Sequence, residues 1–235
     1  MRYFLLNKVV KMFHDIGRKA YYGEPFPVSP ADTLMLIIDA QHLVSKVYLD
    51  ELVAENNVNP ALFAPLFNQI ERINDKTVSN IAKLADACRK AGIEVIHIKI
   101  ESEYEDLRDV GRLYQRTSMH VQPGHPLLNF LDKVEPLEGE TVLKKTCSGV
   151  HVGTDIDILC KSKGIEKVIV TGFYTDQCVS TSVRDLADLG YDIILPTDAC
   201  AAMSPQRHKH ALESLVGIYA YGEKTKDLYN RISSL

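Results

Sequence analysis

Continuous apolar runs alternate with amphipathic stretches along this chain. Residues Thr33–Ile38 (TLMLII) are apolar after the threonine, and Asp39 follows at once. Runs of this kind fit strands covered on both faces, as in a parallel sheet. Residues 60–91 mix polar and apolar positions. Their later part, from Ile70 through Ile73, Val78, Ile81, Leu84 and Ala85 to Cys88, keeps helical spacing. Gly92 then ends the helix as a C-cap. Glu94–Ile100 (EVIHIKI) alternates as a strand does. Residues 101–140 are irregular and charged, broken by Pro123, Gly124 and Pro126. A stretch this long inside a compact domain reads as a lid or binding loop.

The second half repeats the alternation more tightly. The pattern predicts a short strand at 141–143 and a helix over 154–163, with Thr154 as N-cap and Gly164 past its end. It predicts strands at 167–170 and 192–195, around a helix over 176–189 that Gly190 ends. Ser204 and Pro205 start another helix. A weak strand at 217–221 and a helix over 224–232 complete the chain. These six strands, alternating with helices, predict a doubly wound three-layer α/β sandwich with a mainly parallel six-stranded sheet. Gly23, Pro25, Pro27 and Pro30 mark a linker. The expected organisation is an N-terminal arm and linker over 1–30 and one folded domain over 31–235.

Composition narrows the function classes. Twenty-seven Lys and Arg stand against 31 Asp and Glu, a net charge of −4. That balance excludes a nucleic-acid binder working by bulk charge. No stretch approaches the ~20 apolar residues of a membrane span, so no membrane partner is expected. The five cysteines are odd in number and include no CxxC pair. They suit a reducing, cytoplasmic setting and leave at least one thiol free. The arm carries Arg2, Lys8, Lys11, Arg18 and Lys19 against Asp15 alone. It reads as a packing arm for a neighbouring subunit, with a transit peptide or membrane-surface helix as the alternative.

In doubly wound folds the site lies at the carboxyl ends of the strands. Three groups with chemistry fall there. Thr175-Asp176-Gln177-Cys178 reads as an N-cap followed by a first helical turn. That turn would favour a thiolate at Cys178, whereas the bland alternative is a buried core cysteine. Asp39 ends the first strand as a site acid or a helix cap. Lys144 and Lys145 end the middle strand as a site ammonium or as solvated surface. Together an acid, an ammonium and a thiol meet the logic of an activated nucleophile. Gln41, near Asp39, could bind an amide or ureido group. Arg184 with Asp185 and Asp188 suggests a salt-bridged helix face, and Asp198 a cap or brace for the next loop. Glu103, Glu105, Arg108, Asp109 and Arg112 suit a solvated face with one or two ligand contacts.

The segments LIIDAQ (36–41), LKKTCSGVHVGTDIDILCKSKGIEKVIVTGFYTDQCVSTSVRDLADLGYDI (143–193) and PTDACAA (196–202) resemble the isochorismatase-like cysteine hydrolases. The stretch from Gly172 to Tyr191 carries the resemblance most specifically. It implies a catalytic triad of Asp39, Lys145 and Cys178. One branch has Lys-Thr-x-Ser-Gly, then Thr-Asp-Ile-Asp, which Lys145 fits without a gap and Lys144 does not. It also implies a non-proline cis peptide between Phe173 and Tyr174, and an oxyanion hole from the Tyr174 and Cys178 amides. His151 stands where the family usually has an aromatic residue, and His42-Leu43-Val44 where it usually has Asn-Asp-Phe, and both sites would help shape the pocket. Substrate contacts are expected from Gln41, His151 and Tyr174.

The resemblance implies a cysteine amidohydrolase cleaving a linear amide or ureido bond of a small molecule, with a small ureido compound as first expectation. No cofactor or metal is expected, because the Asp-x-His pair of metal-binding members is missing. His208 and His210 lie on different faces of their helix. A homo-oligomer, dimer or tetramer, is expected. The alternatives are a catalytically silent binding or scaffold member and, less favoured, a redox thiol protein.

Overall fold

A computed structural model describes residues 23–117 and 121–235, together with Met12. Most of the arm expected at 1–30 therefore lies outside the described residues. Seven strands form one sheet: β1 (Thr33–Ile38), β2 (Glu94–Ile100), β3 (Thr141–Lys145), β4 (Lys167–Phe173), β5 (Asp192–Pro196), β6 (Cys200–Ala201) and β7 (Tyr221–Glu223). The order is β3-β2-β1-β4-β5-β7, with the two-residue β6 on β4. Every pairing is parallel. The expected six-stranded sheet is present, and β6 is the addition.

Eight α-helices are described. They are α1 (Lys46–Glu55), α2 (Ala64–Ala91), α3 (Arg112–Arg116), α4 (Val150–Gly153), α5 (Ile156–Lys163), α6 (Cys178–Asp188), α7 (Pro205–Leu215) and α8 (Thr225–Ile232). Alternate residues of β1 enter two separate cores. Met35 and Ile37 pack with Val78, Ile81 and Leu84 of α2 and with Leu228 and Ile232 of α8. Leu34, Leu36 and Ile38 pack with Ile156 of α5 and with Val179 and Val183 of α6. Both faces of the central strand are thus covered, which is why its sequence is a continuous apolar run. Each such side chain contributes roughly 1.5–3 kcal/mol on burial.

Several boundaries move for local reasons. The segment 217–220 is a turn, with Gly217 at φ 92° and its N–H bonded to Ala220 O, so β7 starts only at Tyr221. A 3-10 turn (Pro60–Leu62) precedes α2, and Gly92 caps that helix at φ 76°. The helix expected from 154 starts at Ile156, although Thr154 Oγ1 still accepts the Ile156 N–H. Helix α1 was not anticipated. Its Tyr48, Leu49 and Leu52 line a cavity, so its pattern is no simple core stripe. No described helix is long and apolar enough to cross a membrane.

Charged side chains fix the loops around the sheet. Glu140 receives Arg89 Nε at 2.8 Å and Nη2 at 2.9 Å, and the Leu137 N–H at 2.8 Å. His97 Nε2 lies 3.1 Å from the same carboxylate. This fork ties the end of α2 to the entry of β3. Asp198 braces as expected, by accepting the Thr225 N–H and hydroxyl at the start of α8. The salt-bridged face expected at Arg184 does not form. Arg184 instead donates to Ser214 and lies over the Tyr219 ring.

Candidate active site

The strand order reverses between β1 and β4, and the crevice of such a sheet opens outside that point. Asp39 follows β1 with φ 50°, a left-handed conformation that Asp tolerates better than most residues. Its N–H is held by Ile98 O at 2.9 Å. Beside it, Gly172 of β4 lies so close that a Cβ would sit 2.0 Å from Ile38 O. Only glycine allows this approach, and it sets the loop after β4 directly against Asp39.

Lys144 and Lys145 point to opposite sides of β3, as strand periodicity requires. Lys144 stays partly exposed and pairs with Glu101 at 3.0 Å and Glu103 at 3.2 Å. Lys145 is sealed in at 1% exposure. Its Nζ donates to Asp39 Oδ2 at 2.8 Å and to Cys147 O at 3.0 Å, and lies 3.4 Å from the Tyr114 hydroxyl. The structure therefore brings Lys145, and not Lys144, to Asp39.

Cys178 is the first residue of α6 and is buried. The peptide between Phe173 and Tyr174 just before it is cis. Thr175 does not cap the helix. Its N–H bonds Ala201 O at 2.7 Å, and its hydroxyl pairs with His208 Nδ1 at 2.8 Å. Gln177 takes the cap position without a side-chain bond. Among the described residues the amides of Tyr174, Asp176 and Cys178 find no acceptor, whereas those of Thr175, Gln177 and Val179 do.

The electrostatics differ from the thiolate that the helix terminus suggested. Burial, and next the Asp39 charge, push the Cys178 thiol up to about 12, against the pull of Lys145. The resting group is a neutral thiol. Burial likewise raises Cys88 and Cys200 to about 12 and Cys160 to about 11. An elevated thiol is thus common here, and its neighbours set Cys178 apart. Burial lifts Asp39 above the usual carboxylate range, opposed by Lys145 and by hydrogen bonding from Cys178. Asp39 Oδ1 itself is buried and lacks a full hydrogen bond. Burial pulls Lys145 down, but its site partners, Asp39 first among them, outweigh it, and the ammonium is held above its usual value.

The residues expected to contact a ligand divide. Tyr174 lines a cavity of about 450 Å³ over Cys178. Gln41 does not. Its amide donates to Ile100 O at 3.1 Å and Leu128 O at 2.8 Å and accepts the Ile100 N–H at 2.8 Å, so it clamps the end of β2. His151 is exposed on α4, where Val150 takes the buried position, and it is not among the cavity's lining residues. Of the charged loop residues, Asp109 takes a structural role by accepting the Glu103 N–H.

Tyr114 was missed. It is buried, its hydroxyl donates to Cys147 O at 2.8 Å, and it lies 3.6 Å from Cys178 Sγ. The one available signal was an aromatic residue inside the charged stretch Arg112–Arg116. No group of three or more His, Cys, Asp or Glu residues placed to hold a metal occurs among the described residues.

The isochorismatase-domain family model matches residues 33–226. The uncharacterised isochorismatase family protein YrdC of Bacillus subtilis is 30% identical over 132 residues, 56% of this chain but only 64% of YrdC. The ureidoacrylate amidohydrolase RutB of Agrobacterium fabrum is 24% identical over 200 residues, 77% of this chain and 81% of RutB. Among solved structures, a cysteine hydrolase from Pseudomonas syringae superposes with TM-score 0.74 at 20% identity, covering 89% of this chain and 96% of that one. An N-carbamoylsarcosine amidase from Thermoplasma acidophilum reaches 0.61 at 20% identity, over 83% and 96%. At these identities the solved structures speak to the fold.

Proposed function

The chain belongs to the isochorismatase family of hydrolases, and within it we propose a cysteine-dependent amidohydrolase that cleaves a linear amide or ureido C–N bond of a small molecule. The observation that carries this is the sealed Lys145–Asp39 pair set beside Cys178 at the floor of a cavity. The amidohydrolase and amidase among the relatives agree with it.

The chemistry follows from the charges. Asp39 is an unusually basic carboxylate, and Oδ1 is the oxygen left to accept the Cys178 proton. The thiolate forms as it attacks the carbonyl carbon, which offsets its burial by bonding. Negative charge on the carbonyl oxygen falls to the Tyr174 and Cys178 amides, each worth roughly a factor of 10² or more in rate. As the C–N bond breaks, Asp39 returns the proton to the leaving nitrogen, and ammonia or an amine departs. Water then attacks the thioester with Asp39 as base, and the acid leaves with the thiol restored. Lys145 stays charged and keeps Asp39 aimed.

The test is ammonia release from a panel of amides and ureas. Cys178→Ala should abolish it while the circular dichroism spectrum and unfolding midpoint stay in the wild-type range. Undiminished release by the variant defeats the mechanism. Ligand binding by the wild type without any turnover favours a silent binding member of the family.

A further inference from the structure

The wall of the cavity over Cys178 is mostly apolar, and its polar lining away from Asp39 and Cys178 is neutral: Tyr48, Tyr114, Thr117, Ser148, Tyr174 and Gln177. Leu43, Leu49, Leu52, Ile100, Leu113 and Met203 supply walls from five separate segments. No Lys or Arg lines it among the described residues. The one ammonium below its floor is already committed. The three N–H groups of Lys145 face Asp39 Oδ2, Cys147 O and the Tyr114 oxygen.

Neighbouring cations lie outside the described lining. Arg207, whose charge reaches Tyr174, is paired with Asp176. Arg112 and Arg116 flank the lining residues Leu113 and Tyr114 on α3, yet both are exposed, and Arg116 folds back onto Arg112 O. The unpaired acid oxygen of Asp39 adds negative character to the floor. Among the described lining residues an anionic substituent would meet neutral hydrogen-bond donors and no cation, and a buried charge without a counter-charge is costly.

We infer that the site selects an uncharged amide or urea whose remaining part is an aliphatic or aryl group, and rejects amides and ureido compounds that carry a carboxylate. This rests on the amidohydrolase reading of Cys178. It narrows the ureido compounds expected from sequence to neutral ones. The volume of about 450 Å³ suits a small molecule of this kind. Hydrolysis of R–CO–NH₂ by water gives R–COO⁻ and ammonium at neutral pH. The acid product therefore acquires the charge that the cavity does not accommodate, which favours its release.

The experiment compares acetamide, butanamide, pentanamide and phenylacetamide with succinamate and ureidoacetate, on the full chain. Each buried methylene should raise kcat/KM about fourfold. Succinamate, similar in size to pentanamide, should fall about a hundredfold below it. Leu52→Arg places a cation in the wall at a half-buried position and should shift that ratio toward succinamate by about tenfold or more. Succinamate or ureidoacetate turned over as well as pentanamide by the wild type overturns the inference. Calorimetric binding to Cys178→Ala separates the two claims. Preference for pentanamide there, with no wild-type turnover, keeps the cavity assignment and defeats the hydrolase. Equal or better binding of succinamate defeats the cavity assignment alone.

Discussion

Lys145 Nζ meets Asp39 Oδ2 at 2.8 Å across 106 residues of chain, with both side chains almost sealed from solvent. Neither charge is tolerable there without the other. Removing one partner of a buried pair costs about 3–5 kcal/mol. Lys145→Met should therefore lower unfolding free energy in urea by about that amount and abolish turnover. Asp39→Asn combined with Lys145→Met should recover part of the stability but no activity. Single losses that simply add in the double variant would show that the pair is not coupled.

The same pair sets the pH response. In the proposed mechanism Asp39 must be ionised to take the thiol proton, and burial holds its pKa above the usual carboxylate value despite Lys145. Activity is then lost as pH falls through that raised value. Lys145 is held above its ordinary value, and Cys178 stays a thiol up to about 12. Neither produces an alkaline limb near neutrality. A kcat/KM profile should show one acid limb above the ordinary range for Asp and a plateau through mildly alkaline pH. A bell centred near neutrality contradicts this.

Tyr114 joins three site groups through one oxygen. Tyr114→Phe keeps the ring and removes the bond to Cys147 O. It should cost about 1 kcal/mol of stability and roughly tenfold in kcat/KM, or ~1.4 kcal/mol of barrier. Steady-state kinetics with a urea titration decide this. An unchanged kcat/KM would leave Tyr114 as wall alone.

Much of this was legible in the sequence, for physical reasons that differ by residue. β1, β2, β4 and β5 are covered strands whose apolar runs announce them. Asp39, Cys178 and the Lys144–Lys145 pair follow from strand ends that a parallel sheet must gather on one side, and the choice of Lys145 came from the family resemblance. Gln41 misled because a buried amide clamping backbone looks, in sequence, like an amide facing a ligand. His151 misled because its position in the motif said nothing of which way a four-residue helix would turn it. Tyr114 and α1 build the cavity wall from segments whose apolar residues face a void, so they leave no periodic stripe. The elevated thiol was hidden as well, because a helix N-terminus is local while burial depends on the whole fold.

Away from the site, Glu140 is held down to about 2, despite its burial, by Arg89, the Leu137 N–H and His97. A carboxyl lowered on folding stabilises the fold fully above its unfolded value near 4.5. That stability is lost as pH falls through the folded value near 2. Glu140→Gln should cost about 1–3 kcal/mol at neutral pH and flatten the acid side of the stability curve. Urea unfolding at stepped pH checks both. An unaltered slope between pH 4.5 and 2 assigns the acid transition to other carboxylates.

In the proposed mechanism Cys178 forms the covalent bond to the acyl group. Acid-quenched turnover of a slowly hydrolysed amide, read by intact-protein and peptide mass spectrometry, tests it most directly. The predicted result is an adduct equal to the substrate minus ammonia, located on the peptide containing Cys178 and absent from Cys178→Ala. An adduct on Cys147 or another residue, or continued turnover by Cys178→Ala, would contradict the account.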